Sequence, residues 1–97
     1  TNKINLGGLT MQHKIFTIFD NKAEAYFPPF YLPQTSMAIR QFGDMVNDDN
    51  SQISKHPSDY TLFELGEWND NTAEFLELNK KSLGNGVEFI SNETITE

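Results

Sequence analysis

The sequence predicts an α+β domain: a small, mostly antiparallel sheet of about four strands with one main helix packed on one face. Three observations carry this. Residues 15–19 are dense in β-branched and aromatic side chains, apolar positions recur at helical spacing over 37–46, and two strand-like runs flank the turn-forming Asn69-Asp70-Asn71-Thr72. One helix over one face of such a sheet is the natural two-layer solution. The 97 residues suit one domain, since domains usually hold about 100–150 residues.

Residues 1–10 lack periodicity and contain Gly7-Gly8, so they read as a flexible N-terminal extension to a single α+β domain over 11–90. His13 to Asp20 is the first strand. Its apolar groups fall on both faces, which suits a central position. Asp20-Asn21 supplies turn chemistry. Tyr26-Phe27-Pro28-Pro29-Phe30-Tyr31-Leu32-Pro33 forbids a regular helix and argues against a central strand. It should be extended or polyproline-like. Thr35 or Ser36 is placed to cap a helix reaching about Asp48, with Met37, Ala38, Ile39, Phe42, Met45 and Val46 as its apolar stripe. Residues 47–58 read as a polar loop. Asp59–Trp68 and Ala73–Leu78 read as strands of a hairpin, 80–86 as a loop, and Val87–Ile90 as a short last strand. Residues 91–97 read as a disordered acidic tail. No internal repeat is apparent.

Fourteen Asp and Glu against seven Lys and Arg leave a net charge of -7, and the pI is about 4.6. Nucleic-acid-binding domains are commonly basic, so the global field here should repel a polyanion. The scattered cations can still be gathered locally by folding. There are no cysteines, which excludes disulfides, iron–sulfur clusters, cysteine-containing zinc sites and cysteine nucleophiles. No apolar run approaches the ~20 residues of a membrane-spanning helix.

Catalytic and metal chemistry finds no foothold in the residues. An EF-hand reading of Asp48-Asp49-Asn50 fails, because the positions that need Gly and Glu hold Ile53 and Asp59, or Ser54 and Tyr60. His13 and His56 have no metal-ligand spacing. His56 sits before Pro57 with Asp59 near in sequence, an acid–base pairing without a nucleophile. There is no Gly-x-Ser-x-Gly and no phosphate-binding glycine loop. We therefore expect a non-enzyme without metal or cofactor.

The most informative stretch is Tyr26 to Pro33. Aromatics beside prolines can stack on bases of single-stranded nucleic acid, dock into a protein partner, or cover the edge of their own sheet. Candidate contacts for a partner or for single-stranded DNA are Tyr26, Phe30 and Tyr31, with Lys14, Lys22, Arg40, Lys55 and His56 as adjacent polar and cationic groups. Glu64, Glu67 and Asp70 form a candidate acidic face for a basic protein partner.

Two blocks of sequence also carry a family resemblance. Lys14-Ile15-Phe16-Thr17-Ile18-Phe19-Asp20-Asn21-Lys22-Ala23-Glu24-Ala25-Tyr26 runs into Pro28-Pro29-Phe30 and Ala38-Ile39-Arg40. Ser54-Lys55-His56-Pro57-Ser58-Asp59-Tyr60-Thr61-Leu62-Phe63-Glu64-Leu65-Gly66-Glu67 follows. In this order they resemble the small nonstructural protein of gokushoviruses, single-stranded DNA phages of the Microviridae. The resemblance spans about residues 11–90 and brings no active-site motif. It implies a phage-encoded, non-capsid protein in the cytoplasm of the infected bacterial host, serving genome replication at the switch to making or packaging single-stranded DNA.

Three functional readings follow. The first is a replication accessory protein that binds a phage or host replication protein, in its stronger form by placing Glu64, Glu67 and Asp70 in a basic groove. The second is direct single-stranded DNA binding through Tyr26, Phe30, Tyr31, Lys14 and Arg40. The third is a capsid assembly or scaffolding factor that forms oligomers through an exposed sheet edge.

Overall fold

The computed structural model describes residues 12–91. The extension expected over 1–10, and the acidic tail beyond Ser91, lie outside the described residues. Two long antiparallel strands form the centre of the sheet. They are β1 (Gln12–Asp20) and β4 (Tyr60–Asn69), in register from Gln12↔Asn69 to Asp20↔Tyr60. A bulge between Ile15 and Phe16 leaves Leu65 as the extra residue on β4.

Each outer edge is a strand broken in two. On one side β2 (Ala25–Tyr26) and β3 (Phe30–Leu32) both pair with β1. On the other β5 (Glu74–Leu76) and β6 (Lys81–Asn85) both pair with β4. Among the described residues the sheet holds six strands but is four wide. Pro28 and Pro29 explain the first break, because neither can donate to the ladder. The chain stays attached there through Phe27 N–H, which donates to the Ile18 carbonyl at 2.8 Å. The second break is attached alike, with Asn79 N–H donating to the Leu65 carbonyl at 2.9 Å.

The two hairpins share one turn design, although no repeat is visible in the sequence. Asp20 Oδ1 accepts from the amides of Lys22 and Ala23. Asn69 Oδ1 accepts from those of Asn71 and Thr72. The last turn residue has a left-handed backbone in both, Glu24 at φ 56° and Ala73 at φ 63°. An Asx side chain closing on its own backbone is what makes such turns.

Helix α1 (Thr35–Val46) covers one face. It buries Ala38, Phe42 and Val46 against Phe16, Ile18, Tyr60 and Leu62, with Ile53 joining from the short helix α2 (Gln52–Lys55). The stripe is narrower than expected. Met37 and Ile39 are exposed, since the side facing the sheet repeats at i, i+4 from Ala38. Neither Thr35 nor Ser36 caps the helix. Gln34 is the N-cap, and the Thr35 hydroxyl instead donates to Glu64 Oε1 at 2.9 Å, tethering α1 to β4.

The segment 47–58 is more ordered than a polar loop. Ser51 Oγ accepts from the Ile53 and Ser54 amides and caps α2, and a 3-10 turn follows at Pro57–Asp59. The C-terminal segment corrects the expectation most. Lys81–Asn85, inside the expected loop, is the strand, and most of the expected strand Val87–Ile90 instead lies in a 3-10 turn, Gly86–Phe89. Asn85 and Glu88 form a capping box there. Phe89 then packs edge-on against Phe42, with ring centroids 5.0 Å apart.

Candidate binding face

Strand alternation sends successive side chains to opposite faces, and the registers of the paired strands place each one. Lys14, Phe16, Ile18 and Asp20 of β1 share the helix side with Tyr60, Leu62, Glu64 and Glu67 of β4 and Glu74 of β5. His13, Ile15, Thr17 and Phe19 share the opposite side with Phe63, Trp68, Tyr26, Tyr31 and Phe75. No helix covers this second side among the described residues. Every carboxylate on the paired strands therefore falls on the helix side. The helix-free side carries no carboxylate from these strands, only that of Asp70 in the turn after β4, beside His13, and aromatic rings pave it.

The rings fall into two groups. At one end Phe19 and Tyr26 have centroids 4.6 Å apart, and Tyr26 and Phe63 6.0 Å apart. Lys80, from the break in the far edge strand, reaches over this group. Its Nζ donates to the Tyr26 hydroxyl and stands 4.7 Å from the Tyr26 centroid and 5.3 Å from that of Phe63, a cation–π geometry. At the other end Trp68 lies 5.6 Å from His13 and 6.1 Å from Tyr31, centroid to centroid. Phe75 is directly opposite Trp68 in the ladder. Tyr26, Tyr31 and Phe75 keep 45%, 44% and 54% of their surface in solvent. A groove of about 260 Å³ runs beside Tyr26, lined by Thr17, Phe27, Pro29, Leu65 and Lys80. Thr17 is buried at its floor and donates from Oγ1 to the Phe27 carbonyl at 2.7 Å.

The structure unites only part of the set expected from sequence. Tyr26 and Tyr31 share the open face. Phe30 turns to the helix side and packs on Phe16, 5.7 Å between centroids. Lys14 also lies on the helix side, where its Nζ meets Glu67 Oε2 at 3.0 Å and Glu64 Oε2 at 3.9 Å. Arg40 is exposed on α1, in the other layer. Lys22 sits in the turn that leads into β2, while Lys55 and His56 end α2. His56 and Asp59 are joined through the backbone, Asp59 N–H donating to the His56 carbonyl at 3.0 Å.

The acidic candidates also separate. Glu64 and Glu67 are only partly exposed and bind Lys14 and Thr35. They line a hollow of about 390 Å³ with Glu77 and Lys81. Asp70 Oδ2 instead lies 3.2 Å from His13 Nε2. The Glu67 hydrogen bond is the main reason the Lys14 ammonium is held above its ordinary pKa, with the charges of Glu67, Glu64 and Glu77 adding to it against the cost of burial.

Sequence reasoning missed Phe19, Phe63, Trp68, Phe75 and Lys80 as surface groups. The signal was present for the first four, which occupy strand positions opposite in parity to the core residues Ile18 and Leu62 and to the charged Glu67 and Glu74. Lys80 had no signal, because its place over Tyr26 depends on how the far edge strand breaks.

Among the described residues, no cluster of His and carboxylate side chains has the arrangement to hold a metal ion. None of their helices is long and apolar enough to cross a membrane.

This geometry defines a two-layer α+β domain whose helix-free sheet face is aromatic and free of strand carboxylates. The chain belongs to the Phage ORF5 protein family, whose model matches residues 13–89. No curated protein and no solved structure matches it.

Proposed function

We propose that this chain is a non-enzymatic accessory protein of phage genome replication that favours the synthesis or packaging of single-stranded DNA, with the helix-free face as its working surface. The gokushovirus-like sequence blocks supply the replication context, in the cytoplasm of the infected bacterium, and the Phage ORF5 match supports a phage protein. The observation that carries the binding role is the sorting of charge, which leaves a broad aromatic face free of strand carboxylates. Aromatic side chains held in place on a sheet are efficient contact groups, because little entropy is lost when they bind.

The acidic-groove version has less support, since Glu64 and Glu67 are engaged by Lys14 and Thr35 while Asp70 joins His13. Edge-to-edge assembly also has less support, because both edge strands are short and interrupted.

The test is made in the phage that encodes the chain. Tyr31→Ser with Phe75→Ser should lower the ratio of single-stranded viral DNA to double-stranded replicative DNA in infected cells. Gln41→Ala with Asp44→Asn, on the outer surface of α1, should leave that ratio unchanged. If the face variants leave it unchanged too, the proposal fails.

A further inference from the structure

We infer that the helix-free face is a stacking platform for single-stranded DNA, with Lys80 as the phosphate-facing cation beside the Tyr26 groove. The inference rests on the replication reading for the choice of DNA; the stacking chemistry rests on the face itself. Sequence-tolerant binding of single strands needs exposed rings along a track and a cation near them. The row from His13 to Phe19 covers ~20 Å at ~3.3 Å per residue. It has an aromatic group at each end, Trp68 with Tyr31 and Tyr26 with Phe63. Between them lies the groove of about 260 Å³ under Lys80. Tyr26 and Tyr31 reach this face from the edge strand interrupted at Pro28-Pro29.

The net charge of -7 argues against any polyanion ligand, but its distribution decides the outcome. Strand carboxylates project from the opposite side of the sheet, where Lys14 offsets part of the charge of Glu64 and Glu67. Lys80 is not screened from a phosphate it touches. Its present partners are the Tyr26 hydroxyl and two ring faces, none of which neutralises it. A phosphate neutralises the Lys80 ammonium directly, whereas the carboxylate the structure shows on this face, Asp70, is already held by His13 at the opposite end of the row.

Trp68 is the only tryptophan in the chain, so its fluorescence reports on this face without labelling. The experiment titrates purified full-length protein with oligothymidylate of ~15 nucleotides, within the range such sites span. It follows Trp68 emission and, in parallel, the anisotropy of a labelled oligonucleotide. We expect saturable quenching of Trp68. Oligothymidylate and oligocytidylate should bind within a few-fold of each other, and duplex DNA of equal length at least ~10-fold more weakly. Tyr31→Ser and Phe75→Ser should each weaken binding about fivefold or more. Lys80→Met should also weaken it and reduce the salt slope by about 0.7, with the circular dichroism of each variant unchanged.

Absence of quenching and of anisotropy change at physiological salt overturns the inference. So does equal affinity for duplex, or full binding by the Phe75→Ser and Tyr31→Ser variants. A concentration-dependent dimer that those variants dissociate overturns it in favour of self-association. Tighter binding to oligouridylate than to oligothymidylate overturns DNA as the ligand. Should these binding results fail while the face variants still lower single-stranded DNA in infected cells, the replication reading stands with a protein partner on this face.

Discussion

Lys14 and Glu67 stand directly opposite each other on β1 and β4, with Nζ 3.0 Å from Oε2, on the side of the sheet that carries α1. The pair lies next to the bulge at Leu65. It fixes one parity of the central ladder as the charged one, because a one-residue slip would send Lys14 to the aromatic side. The same alternation that gathers Glu64, Glu67 and Lys14 behind the sheet keeps strand carboxylates off the face in front.

The alkaline limit of stability follows from two groups. Lys14 is held above its ordinary pKa by its hydrogen bond to Glu67, and Tyr60 by burial, with the charges of Asp20 and Asp59 adding to it. In both, folding favours the protonated form, so the unfolded chain releases these protons first. The contribution is complete below the ordinary pKa values and is lost as pH rises through them, from about pH 10 upward. Urea midpoints should therefore fall more steeply above about pH 10 in the native chain than in Tyr60→Phe.

Gly43 sits inside α1, and a methyl group there would meet nothing nearer than a ring carbon of Phe89 at 3.7 Å. Gly43→Ala should stabilise the domain by about 0.5–1 kcal/mol, since Ala loses less backbone entropy in a helix. Thermal unfolding should show a higher midpoint. No rise would mean that Phe89 cannot tolerate the contact.

Gly86 behaves oppositely. A Cβ there would fall 2.2 Å from the Pro57 carbonyl oxygen, and backbone on backbone has no flexible end to yield. Gly86→Ala should cost about 2–3 kcal/mol or more, read from the shift in urea midpoint. A loss under about 0.5 kcal/mol would show that the Gly86–Phe89 turn moves off Pro57 freely.

Asn47 ties the chain's last described turn to α1. Its Nδ2 donates to the Gly43 and Phe89 carbonyls at 2.8 and 2.9 Å, and its Oδ1 accepts from the Ser91 amide at 2.8 Å. Asn47→Ala should cost about 1 kcal/mol. It should also speed hydrogen exchange at the Ser91 amide roughly tenfold while the β1 amides stay protected. Uniform acceleration throughout would instead mean global destabilisation.

The fold class could be read from local chemistry, and the reasons are particular. Ile15 to Phe19 suits a buried strand, Pro28 and Pro29 exclude a continuous one, and the helical spacing of Ala38, Phe42 and Val46 describes the face that meets the sheet. Asp20 and Asn69 advertise their turns. The segment after Leu78 was misread because Val87 has a strand former's side chain while Lys81-Ser82-Leu83-Gly84-Asn85 does not. Pairing with β4 outweighs those propensities, as it commonly does in strands. The Asn85-Gly86-Val87-Glu88 capping pattern, which was available, marks the turn that replaces the expected strand.

By itself, then, the sequence determined the α+β class, the central place of β1, the extended proline segment beside it and the lack of a motif for catalysis, because each depends on side chains and their near neighbours. Only the tertiary structure decided what the acidic chain presents. Whether Lys14 lies beside Tyr26 or behind it, and whether Lys80 meets Tyr26 at all, depends on strand register and on partners more than fifty residues apart. Residue composition averages over both faces of a sheet, whereas a ligand meets one face, and the alternation of strands in register is what separates them.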